Sequence, residues 1–135
     1  MATRKVKKKT KKAPAREGYH LPVRAEEEQL AVLSDELLDA WKKLRKFLVS
    51  LGEQRIHTSH RSIMFSRKTC YAFARPKKSF VEVNFFLPTA LDSELLKKVT
   101  AVSKVKSVHV MQLVHEDQVD EPLTDWLREA YERSG

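Results

Sequence analysis

Between Arg55 and Leu87, four short runs rich in Ile, Val, Phe, Tyr and Thr follow one another with two or three polar residues between them. They are Arg55 to Ser59, Ser62 to Ser66, Thr69 to Arg75 and Ser79 to Leu87. Such spacing reads as an antiparallel meander. Side chains alternate faces along a strand. Ile63 with Phe65, Tyr71 with Phe73, and Val81 with Val83 and Phe85 are therefore expected on the buried face. No Asn-Gly or Asp-Gly turn pins the register.

Helical patterns flank the meander. Leu30, Leu33, Leu37, Trp41, Leu44, Leu48 and Leu51 recur at spacings of three and four, which predicts one helix over residues 29–51 ending at Gly52. Ser34, followed by Asp35 and Glu36, offers an alternative N-cap inside that pattern. The stripe runs for only about three heptads, so packing on its own domain is favoured over a coiled coil. Beyond Pro88, Asp92 reads as the N-cap of a short helix over Ser93 to Val99, and Ser107 to Val114 as a fifth strand. Pro122 opens a last helix with Leu123, Trp126, Leu127, Ala130 and Tyr131 on its apolar face. The expectation is an α+β domain over residues 25–135. Its antiparallel sheet of about five strands packs against N- and C-terminal helices, all on one face.

Charge sorts the chain into segments. Residues 1–24 hold nine Lys/Arg against one acid, Glu17, and so carry the whole net charge of +8. Such a segment buries too little apolar surface to offset its ordering entropy, and a disordered tail is expected. The remainder is neutral but uneven: −2 over residues 25–52, +7 over 53–106 and −5 over 107–135. One cysteine, Cys70, excludes an internal disulfide and suits a reducing cytoplasm. No apolar run approaches the roughly 20 residues that span a bilayer, and no apolar segment of signal-peptide type follows the basic N-terminus. A cytoplasmic protein without a membrane partner is expected.

Three constellations bear on function. Lys5, Lys7, Lys8, Lys9, Lys11 and Lys12 form a run dense enough to neutralise several phosphates of DNA or RNA. The bland reading is a solubilising extension. Arg61, Arg67, Lys68, Arg75, Lys77 and Lys78 sit at hairpin ends, where they can straddle a nucleic-acid backbone or merely form a solvated edge. His57 and His109 become cross-strand neighbours, and a ligand candidate, if the strands that hold them pair. Their spacing matches no standard zinc pattern, so no metal is assigned. Cys70 and Glu82 lack a catalytic partner, and there is no Gly-rich phosphate loop or Gly-x-Ser-x-Gly turn. The chain is read as a binding module, not an enzyme, with no cofactor. The alternatives are a module for a protein partner that recognises the uneven charge, or a small ligand- or metal-binding domain using His57 and His109, and the oligomeric state stays open.

The ordered set Ile56-His57-Thr58, Ile63-Met64-Phe65, Phe73-Ala74-Arg75-Pro76-Lys77-Lys78, Val108-His109-Val110 and Trp126-Leu127-Arg128-Glu129-Ala130-Tyr131 resembles the bacterial family of domains of unknown function 5655, over about residues 28–133. The resemblance implies a nucleic-acid setting, since members of that family occur alone or attached to proteins similar to restriction-type nucleases. Val108-His109-Val110 with Leu127 to Tyr131 is also similar to the MmcQ/YjbR group, which implies a frataxin-like, double-wing fold. That group often places an aromatic residue beside the histidine where this chain has Val110. Neither resemblance supplies a catalytic residue. Together with the charge pattern they imply an accessory protein that binds nucleic acid weakly and without sequence preference.

Overall fold

Ser34 cuts the N-terminal helical stripe in two. In the computed structural model, which describes residues 22–135, α1 spans Pro22–Leu30 and α2 spans Asp35–Ser50. The Ser34 Oγ accepts a hydrogen bond from the Leu37 N–H at 3.2 Å, and Asp35 and Glu36 face the helix dipole in the first turn. The single helix expected over 29–51 is therefore corrected to two. The cap stabilises a fresh start that lets α1 fold back. Glu26 then reaches Arg45 of α2 at 2.7 Å, and the Gln29 amide donates to the Ser59 and Ser62 carbonyls. The basic tail read over residues 1–24 lies outside the described residues as far as residue 21, and with it all six lysines of the Lys5–Lys12 run.

The meander forms where expected. Strands β1 (Arg55–Ser59), β2 (Ser62–Ser66), β3 (Cys70–Pro76) and β4 (Val81–Leu87) pair in sequence order, all antiparallel. The next two strands, β5 (Lys98–Ser103) and β6 (Lys106–Leu113), make six in all, and β6 lies between β4 and β5. The helix expected over Ser93 to Val99 does not form, and its last two residues, Lys98 and Val99, enter β5. β4 and β5 lie on either side of β6, so residues 88–97 cross over that strand. The Leu91 N–H bonds to the His109 side chain, and the Lys97 N–H donates to the Val110 carbonyl at 2.7 Å, so the segment gives its backbone donors to β6 and not to a helix.

The three helices, including α3 (Leu123–Arg133), pack on one face of the sheet. Ile63 and Phe65 of β2, Ala72 and Ala74 of β3, Val83 and Phe85 of β4, and Met111 and Leu113 of β6 point into that layer. Leu37, Trp41, Leu44 and Leu48 of α2 meet them, with the Trp41 and Phe65 ring centroids 6.2 Å apart. Each such aliphatic side chain contributes about 1.5–3 kcal/mol on burial. The α2 stripe read from sequence is therefore the core side of that helix. The crossing segment lies on the same face, where Leu91 and Leu96 pack on the core.

One alternation fails. Phe65 faces Ala72 while Ser66 faces Cys70, so Tyr71 is an extra residue on β3. This bulge turns both Tyr71 and Ala72 inward, and Tyr71 meets Tyr131 of α3 edge-on at 5.4 Å. Phe73, expected beside Tyr71 in the core, is thereby moved to the opposite face. No helix lies on that face among the described residues.

Candidate nucleic-acid interface

In a meander, successive turns lie at opposite ends of the sheet, and this divides the basic cluster predicted from sequence. Arg61, in the β1–β2 turn, and Lys77 and Lys78, in the β3–β4 turn, share one end with Arg75. Ser59, His60, Arg61, Ser62, Arg75 and Lys77 line an open cleft there of about 450 Å³. Arg75 is fixed in place: its Nε donates to the Ser62 Oγ at 3.0 Å, and its Nη1 lies 3.8 Å from the Glu82 carboxylate, which also accepts from Asn84. Arg61 and Lys78 are exposed.

Arg67 and Lys68 lie at the other end. Arg67 is committed to α3. Its Nη1 donates to the Tyr131 carbonyl at 3.0 Å and its guanidinium sits 4.2 Å from the Tyr131 ring centroid. The backbone N–H groups of Lys68 and Thr69 donate to the Ser134 carbonyl. This turn therefore satisfies carbonyls that a helix C-terminus otherwise leaves open. Lys68 points to solvent.

The histidine pair is corrected. β1 and β6 do not pair; β2, β3 and β4 lie between them, a separation of about 19 Å at the usual strand spacing. His57 faces the open side, opposite Met64, while His109 is fully buried on the helical side. The Leu91 N–H donates to His109 Nε2 at 3.0 Å, so the ring proton resides on Nδ1 and points at the Phe85 carbonyl, 3.4 Å away. The imidazole stacks on Phe85 with centroids 5.1 Å apart. With both nitrogens engaged, this ring pins the crossing segment to the sheet. Among the described residues, no group of three or more His, Cys, Asp and Glu side chains is close enough to hold a metal ion, and no helix is long and apolar enough to cross a membrane.

Cys70 borders a hollow of about 200 Å³ between β4, β6 and the end of α3, with Lys106 and Arg133 also on its wall. Burial pushes the thiol above its ordinary pKa, despite hydrogen bonds with Ser66 and with the Ala72 backbone that act the other way. That disfavours the thiolate a nucleophile needs.

The structure adds residues that sequence reading passed over. On the open face, the Phe73 and Phe86 rings lie 5.9 Å apart. Arg75 sits 5.2 Å from the Phe73 centroid, and the Lys106 ammonium 5.0 Å from that of Phe86. Met64, Val108 and Val110 surround the pair, half-buried. Without the bulge at Tyr71, alternation alone assigns Phe73 to the core, which is why the signal was hidden.

Charge follows the same two-sidedness. The strands and hairpin turns carry Arg55, Arg61, Arg67, Lys68, Arg75, Lys77, Lys78, Lys98, Lys104 and Lys106 against a single acid, Glu82. The helices, the short 3₁₀ turn Glu116–Gln118 and the loop after it carry thirteen acids against seven Lys/Arg. The neutral body is thus a basic sheet layer backed by an acidic helical layer.

These features define a class: a one-sided α+β domain whose antiparallel sheet has a basic, aromatic-bearing face on which no helix lies among the described residues. Within that class the chain belongs to the family of domains of unknown function 5655 (DUF5655), whose profile matches residues 26–134. No curated protein and no solved structure matches it.

Proposed function

We propose that the protein is a nucleic-acid-binding module that contacts the phosphate backbone through its sheet layer, with little sequence preference. The segregation of ten cations and one acid into the sheet and its turns supports this reading most directly. A chain with evenly mixed charge would present no attractive side to a polyanion. Here the acidic helical layer faces away, which also orients the approach. The cleft lined by Arg61, Arg75 and Lys77 offers convergent donors at one end, and Arg75 is held by Ser62 before any ligand arrives. The basic run at Lys5 to Lys12 would add affinity of the same unspecific kind.

The test is fluorescence polarisation of labelled nucleic acid at a series of salt concentrations, with the full chain and a variant carrying Arg61→Gln, Lys77→Gln and Lys78→Gln. Loss of three phosphate contacts lowers the slope of log K against log salt by about 2 to 3. An unchanged slope removes this hairpin end from the interface. No binding at low salt refutes the nucleic-acid reading and favours a partner protein, or a second copy whose acidic helices meet the basic sheet.

A further inference from the structure

We infer that the open sheet face takes a single strand, by stacking unpaired bases on Phe73 and Phe86. This rests on the nucleic-acid reading and narrows it, since phosphate contacts alone do not distinguish a strand from a duplex.

The inference starts from a cost. A side chain on the solvated face of an antiparallel sheet is ordinarily polar. Two phenylalanines there, with Met64, Val108 and Val110 around them, form an apolar patch that the core does not use. The patch is framed by cations. Arg75 and Lys106 each lie over one ring of the pair, giving the sequence cation, ring, ring, cation across β3, β4 and β6. A nucleic-acid single strand has this composition: flat apolar bases carried on a chain of negative charges. Bases stack on aromatic rings whatever their identity, and neighbouring Arg and Lys take the phosphates. A duplex keeps its bases inside and cannot use the rings. The only acid on the strands, Glu82, is 3.8 Å from Arg75 and hydrogen-bonded to Asn84, so its charge is partly neutralised. A second copy fits less well, because the same basic face would meet itself or would lay its apolar centre on a polar helix surface.

The experiment uses the full chain with two fluorescent probes of equal length, an oligothymidylate and a duplex. The strand is expected to bind more tightly. Phe73→Leu and Phe86→Leu are each expected to weaken strand binding by about five-fold or more, at low and high salt alike, because stacking releases no counterions. Duplex binding should not change. Phe73→Tyr keeps an aromatic face and should bind the strand as the natural chain does, which excludes a folding defect at that position as the cause. Equal binding of strand and duplex with neutral Leu variants overturns the stacking inference and leaves phosphate binding standing. Binding of neither probe overturns both. If the Leu variants instead alter the concentration-dependent mass in gel filtration, the face is a self-association surface and the inference fails.

Discussion

Replacing His109 tests whether that residue is a structural pin or a ligand waiting for an ion. Its ring accepts from the Leu91 N–H, points its proton at the Phe85 carbonyl, and stacks on the Phe85 ring at 5.1 Å. His109→Phe keeps a flat ring over Phe85 but removes both polar contacts. Orphaning a buried amide costs about 1–3 kcal/mol, and the bond to Phe85 is long, so about 2 kcal/mol is expected in all. His109→Ala loses the ring as well, and the cavity raises the cost to about 4 kcal/mol. For a domain of this size these are drops in Tm of about 8 and 16 °C. Urea unfolding followed by Trp fluorescence reads both, since Trp41 is buried and Trp126 stacks on Phe85 at 5.8 Å. The midpoints should move while the m-value stays constant. A His109→Phe variant as stable as the natural chain refutes the pin. So does zinc that stabilises the natural chain and not this variant, because binding to the native state raises its midpoint.

Other substitutions probe the joints between the layers. Gly52 has φ 143°, and a Cβ there would run into the Tyr131 hydroxyl, which donates to the Glu53 carbonyl. Gly52→Ala should therefore lower stability by about 2 kcal/mol, read as a shift in urea midpoint. Arg67→Ala should lower it by about 1–2 kcal/mol through loss of its contacts with Tyr131. At matched temperature and salt it should alter nucleic-acid binding less than Arg61→Gln does. Burial holds the Cys70 proton in the folded chain, so alkylation by iodoacetamide should stay slow around pH 8 and accelerate on unfolding. Burial raises the Tyr71 phenol too, ahead of the opposing hydrogen bond to Gln54. With the folded values above the unfolded ones, both groups support the fold at lower pH. That support fades above the ordinary thiol value of 9.0 as the unfolded chain begins to lose protons. Cys70→Ala should flatten part of this alkaline decline.

Local pattern carried much of the fold. The bounds of β1 and β2 follow directly from runs of five residues separated by His60-Arg61, and the α2 stripe from Leu37 to Leu48 faces the core. What local pattern missed depends on distant chain. The segment after Pro88 has a helix-like start, but Ser93 Oγ only closes a tight turn on the Leu95 N–H. Backbone bonds to β6 that begin at Lys97 decide the rest. The bulge at Tyr71 is invisible in an alternating run because it arises from how β2 meets β3. The division of the basic cluster, by contrast, was legible. Turns one and three of any meander share an end, so Arg61 belongs with Lys77 and Lys78, and Arg67 with neither. His57 and His109 were linked by assuming a strand pairing that short loops do not require.

The two faces of the sheet answer to different demands, close packing on one and partial exposure to solvent on the other. On the inner face, Ala72, Ala74, Phe85 and His109 are fixed by close contact with helices and the crossing segment. A change of one group there alters packing throughout, as in any dense interior. On the outer face, Phe73, Phe86 and Arg75 alternate with those residues along the same strands, and their contacts are with side chains of the sheet and its turns: one another, Ser62, Glu82 and Lys106. The period of two in a strand lets a single segment, Phe73-Ala74-Arg75, hold the core with its middle residue and present a ring and a cation outward with the other two. The bulge at Tyr71 puts two successive residues inward before this phase begins. Deleting Tyr71 would leave the pairs Ser66–Cys70, Phe65–Ala72 and Met64–Phe73 in strict alternation, so Phe73 would keep the open side while the core lost the Tyr71 ring and its edge contact with Tyr131. The irregularity therefore serves the core, and the outward ring and cation follow from the period of two alone.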